Sequence, residues 1–398
     1  MKSKLDNPKC QGFKFSGISC GLKKESQKDL GLIYSKVPAN AAGVFTRNKV
    51  IAAPVILCKD RIKKGKCQAI IANSGNANCC TGKQGSDDAV EMAKIAAASL
   101  NIDENLVFVA STGVIGKQLN IDLIKQSSSS LIDNLSEDSI LDFTYSIMTT
   151  DTKAKIEYKK VDYNGKSFQI CAVAKGAGMI RPDMATMLCF ICTDIESSSD
   201  ELQTALRASV NRSFNIITID GDTSTNDTVL LLANGLSGLN ISTPELKSIF
   251  QNTLDELLIN LAKAIVKDGE GVTKLVGINV RGAKTQNDAK KIAETISHSN
   301  LVKTALFGED ANWGRIIAAA GRANVDINPD TIDIYFDSVL MAKNGVGCGY
   351  KAEEEVTNIL KKSEYDITIN LNMGNSSYLI YTCDFSLDYV RINADYRT

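Results

Sequence analysis

The stretch Lys175-Gly-Ala-Gly-Met-Ile-Arg-Pro-Asp-Met-Ala-Thr186-Met-Leu188 carries a threonine from a loop of small residues into an apolar run, Met187 to Cys192. That arrangement presents a hydroxyl where a loop becomes a buried strand. If the Ala185–Thr186 bond is cut, Thr186 gains a free α-amine beside its own hydroxyl. One residue then holds a nucleophile and the base that activates it. An α-amine titrates near pH ~8 before any perturbation, so it needs less tuning than a lysine would. The chemistry suggested is self-cleavage followed by acyl transfer. A threonine that merely opens a buried strand would give the same local pattern.

Acyl transfer also needs oxyanion donors and groups that hold the ends of the substrate. Ser111-Thr-Gly-Val-Ile-Gly116 follows an apolar run, where the Thr112 hydroxyl and backbone N–H groups around Gly113 could converge on an oxyanion. A plain strand-to-loop turn reads equally well. The stretch is not a phosphate-binding P-loop, because Lys117 lacks the following Ser or Thr. Asn73-Ser-Gly-Asn-Ala-Asn-Cys-Cys-Thr-Gly82 is either a compact loop or a set of amides facing a ligand. Asp220-Gly-Asp-Thr-Ser-Thr-Asn-Asp227 fails as a calcium loop: Thr225 stands where glycine is required and Leu231 where the bidentate glutamate should be. A loop bonding its own backbone beside the active site is the better account. Lys267-Asp-Gly-Glu-Gly271 reads as a helix end with solvated charges, unless Glu270 meets an ammonium group.

Several chemistries are poorly served. The single histidine, His298, sits at the polar end of a predicted helix and is expected to be solvated. Any Ser-His-Asp, Cys-His or His-rich metal site would need it. The eleven cysteines lack framework spacing, so reduced thiols are expected. Cys189-Phe-Ile-Cys192 lies inside a strand-like run without a second pair, and Cys79 and Cys80 are expected to be buried thiols. A net charge of −1 argues against nucleic acid or a membrane surface as partner. No apolar run approaches a membrane span, and the N-terminal segment lacks a signal-peptide core; a cytoplasmic location is expected.

The elements that must position these residues alternate between strand and helix, which predicts a mixed α/β architecture. Strands are predicted at 67–73 and 105–110, with a helix from Asp87 to Leu100 capped by Ser86. Asn164-Gly165, between 156–161 and 167–173, predicts a hairpin whose second strand leads into the nucleophile loop. Asn344-Gly345 predicts a second turn of this kind. Helices are predicted at 199–213, 243–267 and 352–362, and strands near 331–337, 366–372 and 377–385. A change of pattern around 280–285 places the expected boundary between a main lobe, 1–282, and a smaller C-terminal α/β lobe, 283–398.

KGAGMIRPDMATML, NSGNAN, STGVIG, SFNIITIDGDTSTND, KDGEG and FGEDANWGRI occur in one order over nearly the whole chain. Together they make the sequence resemble the ornithine acetyltransferase (ArgJ) family of arginine biosynthesis. The resemblance implies cleavage before Thr186 into an α chain 1–185 and a β chain 186–398, which stay together as an α2β2 heterotetramer. It implies that Thr186 takes the acetyl group of N2-acetyl-L-ornithine and passes it to L-glutamate; some members also use acetyl-CoA. Thr112 and Gly113 match the family's oxyanion-hole positions, and Thr152, Lys175, Thr186, Glu270, Asn393 and Thr398 its substrate-contacting ones. The implied fold is α/β, mixed sheets sandwiched by helices, layered like the N-terminal-nucleophile hydrolases. Transfer between two amides is nearly thermoneutral, so no cofactor, nucleotide or metal is called for. Two other readings stay open: a related self-cleaving aminopeptidase or amidase that passes the acyl group to water, and an uncleaved, inert small-molecule-binding protein.

Overall fold

The structure is a computed structural model that describes residues 8–24, 26–181 and 187–395. Over those residues the chain forms two compact units. One holds 8–179, 187–215 and 222–265; the other holds 180–181, 216–221 and 266–395.

The first unit is built on an eight-stranded mixed sheet. Its strands are β1 (Phe13–Ile18), β2 (Leu30–Phe45), β3 (Lys66–Asn73), β4 (Val107–Ser111), β5 (Lys155–Tyr163), β6 (Lys166–Lys175), β7 (Leu188–Thr193) and β8 (Thr228–Ala233). The order is β4-β3-β2-β8-β7-β6-β5, and β2 is long enough to pair with β1 over its first half and with β8 over its second. Strands β7 and β8 are buried along their whole length, as continuous apolar runs covered on both faces should be. The helices Gly82–Leu100, Ile140–Ile147 and Ser199–Asn211 pack on this sheet. Phe143 meets Phe190 edge-on at 5.6 Å in the core.

Local signals explain several of these elements. Asn164 and Gly165 take φ of 51° and 76°, the left-handed pair that a tight β5–β6 hairpin demands. Ser198 and Glu201 form a reciprocal capping box that starts the helix Ser199–Asn211.

The second unit carries a six-stranded mixed sheet of order β12-β11-β10-β13-β9-β14. Its strands are β9 (Leu275–Ala283), β10 (Asp333–Phe336), β11 (Val339–Lys343), β12 (Val346–Gly347), β13 (Glu364–Asn370) and β14 (Ser376–Cys383). The helix Gln286–Ser297 packs on β9 and β14. The segments 180–181 and 216–221 belong here because hydrogen bonds tie them in. Ile219 N–H donates to the Ile180 carbonyl at 2.9 Å, and Thr218 N–H donates to the Tyr381 carbonyl at 2.9 Å.

The mixed α/β class is as expected, but the division of the chain is not where the sequence places it. The unit boundary falls after Ile265, inside the helix Pro244–Lys267. Residue 282 instead lies in β9, where Gly282 turns the chain with φ of 67°. Among the described residues no helix is long and apolar enough to cross a membrane.

Candidate active site

In the first unit, the end of β6 and the starts of β7 and β8 lie abreast. Lys175 is the register partner of Leu188, and Leu188 that of Thr228. The sheet therefore sets Lys175, Met187 and Asp227 along one short row.

Lys175 is only 3% exposed. Its Nζ donates to Thr112 Oγ1 at 3.1 Å and to Thr149 Oγ1 at 3.0 Å. A buried acid steadies this corner. Asp151, with a side chain 0% exposed, accepts from Lys155 Nζ at 2.8 Å. It also accepts from Gly176 N–H at 2.7 Å and Thr149 N–H at 3.0 Å. Burial alone would push its carboxyl up, yet the charges of Lys175 and Lys155 and these hydrogen bonds hold it at about 2. Thr152, in the turn between the pair, is exposed.

The loop after β4 is held against the asparagine loop. Thr112 N–H donates to the Asn73 carbonyl at 3.0 Å, so it is engaged within the protein. Gly113 N–H donates to no described residue. Gly113 has φ of +132°, and a Cβ there would stand 2.4 Å from the Gly75 carbonyl carbon, so only glycine fits. The donors left at this turn are the Gly113 N–H and the Thr112 hydroxyl, whose oxygen already accepts from Lys175.

The three asparagines bond the protein itself. Asn73 Oδ1 accepts from Ser111 Oγ at 2.6 Å, Asn76 Nδ2 donates to the Lys117 and Gln118 carbonyls, and Asn78 Nδ2 donates to the Gly85 carbonyl. The compact-loop reading of this segment holds. Cys79 is buried as expected, but its neighbour Cys80 is exposed, turned outward by a positive φ of 57°.

Asn226 and Asp227 were read from sequence only as part of a self-bonding loop, and they do more. Asn226 Nδ2 donates to the Ala77 carbonyl at 2.6 Å and the Ser111 carbonyl at 2.8 Å, joining the asparagine loop, β4 and the start of β8. Asp227 Oδ1 accepts from Met187 N–H at 3.1 Å, while Thr228 N–H donates to the Met187 carbonyl at 3.1 Å. Both backbone groups of Met187 are thus fixed. Ala185 and Thr186 themselves lie outside the described residues, as does Thr398.

In the second unit, two expected substrate contacts are brought together. Glu270 is 7% exposed and accepts from Asn393 Nδ2 at 2.8 Å. It is not the solvated helix-end charge that its surroundings suggest. Gly271 lets the segment 386–389 approach: a Cβ would meet the Tyr389 nitrogen at 2.4 Å, and Ser386 Oγ donates to the Gly271 carbonyl at 2.6 Å.

His298 also departs from expectation. It caps the helix Gln286–Ser297, but its Nε2 lies 3.1 Å from Thr218 Oγ1 and its ring packs on Gly221. Burial, with the nearby charges of Arg181, Lys303 and Arg322, lowers it to about 4. It is a neutral packing group, not a solvated one. Among the described residues no three His, Cys, Asp or Glu side chains gather as metal ligands.

The ArgJ family model matches residues 14–398, nearly the whole chain. The chain belongs to the ArgJ family. The arginine biosynthesis bifunctional protein ArgJ of Syntrophotalea carbinolica is 49% identical, over 98% of this chain and 100% of its own length. The glutamate N-acetyltransferase of Methanocaldococcus jannaschii is 46% identical, over 98% of this chain and 97% of its own. A crystal structure of the Bacillus halodurans ArgJ protein is 42% identical, covering 52% of this chain and 97% of that one, with a TM-score of 0.49.

Proposed function

We propose that this ArgJ-family chain is an acetyltransferase that moves an acetyl group from N2-acetyl-L-ornithine to L-glutamate through Thr186. Family membership over nearly the full length carries the reading, with relatives named ArgJ and glutamate N-acetyltransferase. The buried Lys175–Thr112 contact, beside a Gly113 N–H that donates to no described residue, supports it chemically.

In this scheme the chain cleaves itself between Ala185 and Thr186, giving α and β chains that assemble as α2β2. The Thr186 hydroxyl, deprotonated by its own amine, attacks the acetyl carbonyl. The Gly113 N–H and Thr112 hydroxyl stabilise the oxyanion; one such donor is typically worth about 3 kcal/mol. Ornithine leaves, and the glutamate amine takes the acetyl group from the ester. Lys175 pairs with the α-carboxylate that donor and acceptor share. Glu270, with Asn393 on its carboxylate, meets the ornithine side-chain ammonium. Thr152 and Thr398 complete the substrate contacts, and acetyl-CoA serves as a second acetyl donor. The work is that of a cytoplasmic biosynthetic enzyme.

The test joins denaturing intact mass spectrometry to a transfer assay. The wild-type chain should give two fragments split at Ala185/Thr186 and should acetylate glutamate from N2-acetyl-L-ornithine; Thr186→Ala should do neither. Acetate release without glutamate acetylation would point to an amidase. A single intact, inactive wild-type chain would leave a binding protein.

A further inference from the structure

Ornithine and glutamate end in opposite charges. The proposed scheme gives the side-chain ammonium of the donor to Glu270, and a carboxylate there repels the side-chain carboxylate of the acceptor. With Lys175 on the shared α-carboxylate, the acceptor still needs a second cation. The first unit holds one that the scheme leaves unused.

Lys23 is half-buried. Its Nζ donates to the Met148 carbonyl at 2.5 Å and to the Lys28 carbonyl at 3.1 Å. An ammonium has three protons to donate, so one is left over. Lys23 forms no ion pair with a described residue, whereas Lys28 is paired with Asp142. A partly buried charge without a counter-ion is costly, and a bound anion relieves that cost. Lys23, Lys28 and Thr149 line a cavity of about 370 Å³, with Gln27, Tyr145 and Asp151 also in its wall. Asp151 does not turn the cavity against anions, because Lys155 and two N–H groups engage both of its oxygens. Burial lowers the Lys23 ammonium to about 8, the Lys175 charge adding to the effect and those of Asp29 and Asp151 opposing it. It is cationic at neutral pH.

Contacts within the first unit tie this ammonium to the candidate site. Met148, which accepts from Lys23, precedes Thr149, which accepts from Lys175 Nζ at 3.0 Å. On the other side, a Cβ at Gly75 would meet Lys23 Cγ at 3.0 Å, and a Cβ at Gly113 would meet the Gly75 carbonyl carbon at 2.4 Å. Thr112, next to Gly113, accepts from the same Lys175. Lys23 thus closes a ring of contacts with Lys175 and the turn that carries the proposed oxyanion donors.

We propose that Lys23 binds the side-chain carboxylate of L-glutamate and so selects the acyl acceptor. The inference rests on the acetyl-transfer reading. Steady-state transfer assays test it, because in a two-step transfer kcat/KM for each substrate reports its own half-reaction. Lys23→Met keeps the stem against Gly75 and removes the charge. Its kcat/KM for L-glutamate should fall by about tenfold to a hundredfold, while that for N2-acetyl-L-ornithine stays within about twofold of wild type. Lys23→Arg should recover part of the loss. The methionine variant should also lose the preference for L-glutamate over L-norvaline, whose side chain is neutral. Equal falls for both substrates would make Lys23 a prop for the Lys175 corner and overturn the inference, as would unchanged values. Should the methionine chain fail to fold, inhibition of the wild type decides. Glutarate should compete with L-glutamate about tenfold or more tightly than pentanoate does, and equal inhibition overturns the assignment. A wild-type chain that transfers no acetyl group to any acceptor removes the acetyltransferase reading itself, and the inference falls with it.

Discussion

Replacing Lys155 with methionine tests whether the buried ion pair at Asp151 holds the Lys175 corner together. Methionine keeps the stem and removes the charge. The Asp151 side chain is 0% exposed and that of Lys155 2%, so water cannot take the cation's place. Asp151 would keep the N–H groups of Thr149 and Gly176 and the charge of Lys175. The size of the loss follows from the burial of the pair. The carboxyl sits at about 2 against an ordinary 3.8, so its favourable partners more than outweigh the cost of burying it. Removing one partner of a buried pair typically costs about 3–5 kcal/mol. A loss of about 3 kcal/mol at neutral pH is therefore expected, read by urea unfolding followed by circular dichroism. The pH dependence has a definite sign. Asp151 has a depressed pKa in the folded state, so its stabilisation is present above 3.8 and is lost as pH falls through about 2. The gap between wild type and variant should narrow below about pH 4. A loss under about 1 kcal/mol at neutral pH, or a gap that widens on acidification, would refute the reasoning.

Other consequences can be checked with the same protein. Gly113→Ala would force a Cβ to within 2.4 Å of the Gly75 carbonyl carbon at φ of +132°, so acetyl transfer should fall by about 10²-fold or more; wild-type turnover would clear the turn of any part in oxyanion binding. His298 is neutral in the fold, lowered from 6.5 to about 4, so its stabilisation is full above 6.5 and is lost as pH falls through about 4. Thermal melting should therefore drop by the equivalent of about 3 kcal/mol across that window, and His298→Gln should flatten the slope; an unchanged slope assigns it to other groups. Glu270→Gln keeps an acceptor for Asn393 but loses the charge, so KM for N2-acetyl-L-ornithine should rise by about tenfold or more while KM for L-glutamate stays put. Equal changes for both substrates would count against an ammonium partner.

The sequence was most legible where the physics is local. The Asn164-Gly165 hairpin, the apolar strands β3 and β7 and the helix Ser199–Asn211 each carry their own signal. The helix expected from Asp87 shows how packing overrides such signals, because it begins at Gly82. Gly82 and Gly85 lower the propensity of its first turn, but Gly85 is needed there: a Cβ would meet Thr81 Oγ1 at 1.8 Å and Asn78 Oδ1 at 2.5 Å. The change of pattern near 282 is real, yet it marks the end of a strand in the middle of a sheet. Thr112, Gly113 and Lys175 stood out through their motifs, and the structure joins Thr112 to Lys175 directly. Asp151, Lys155 and Asn226 did not stand out. Asn226 bonds to Ala77 and Ser111, far off in sequence, and only burial turns the ordinary Thr-Asp-Thr-Lys-Ala-Lys run 150–155 into a fixed ion pair.

That network also shows where chemistry can be done. The first unit buries an unusual set of polar groups around one row of its sheet: Asn73, Asp151, Lys155, Lys175, Asn226 and Asp227. Each unmatched buried group works against folding, so nearly all are matched within the protein. Asn73 and Asn226 have partners at both atoms of their amides, and Asp151 accepts at both oxygens. Around this row, the Gly113 N–H and Asp227 Oδ2 have no partner among the described residues. The Gly113 N–H is a donor suited to a developing oxyanion. Lys175 is tied to both, through its hydrogen bond to Thr112 and its field at Asp227. A row that satisfies nearly all of its polar neighbours and leaves such a donor unmatched among the described residues can be completed by a carbonyl oxygen. On the proposed scheme self-cleavage and acetyl transfer both bring a carbonyl to this turn, so the same donor would serve both.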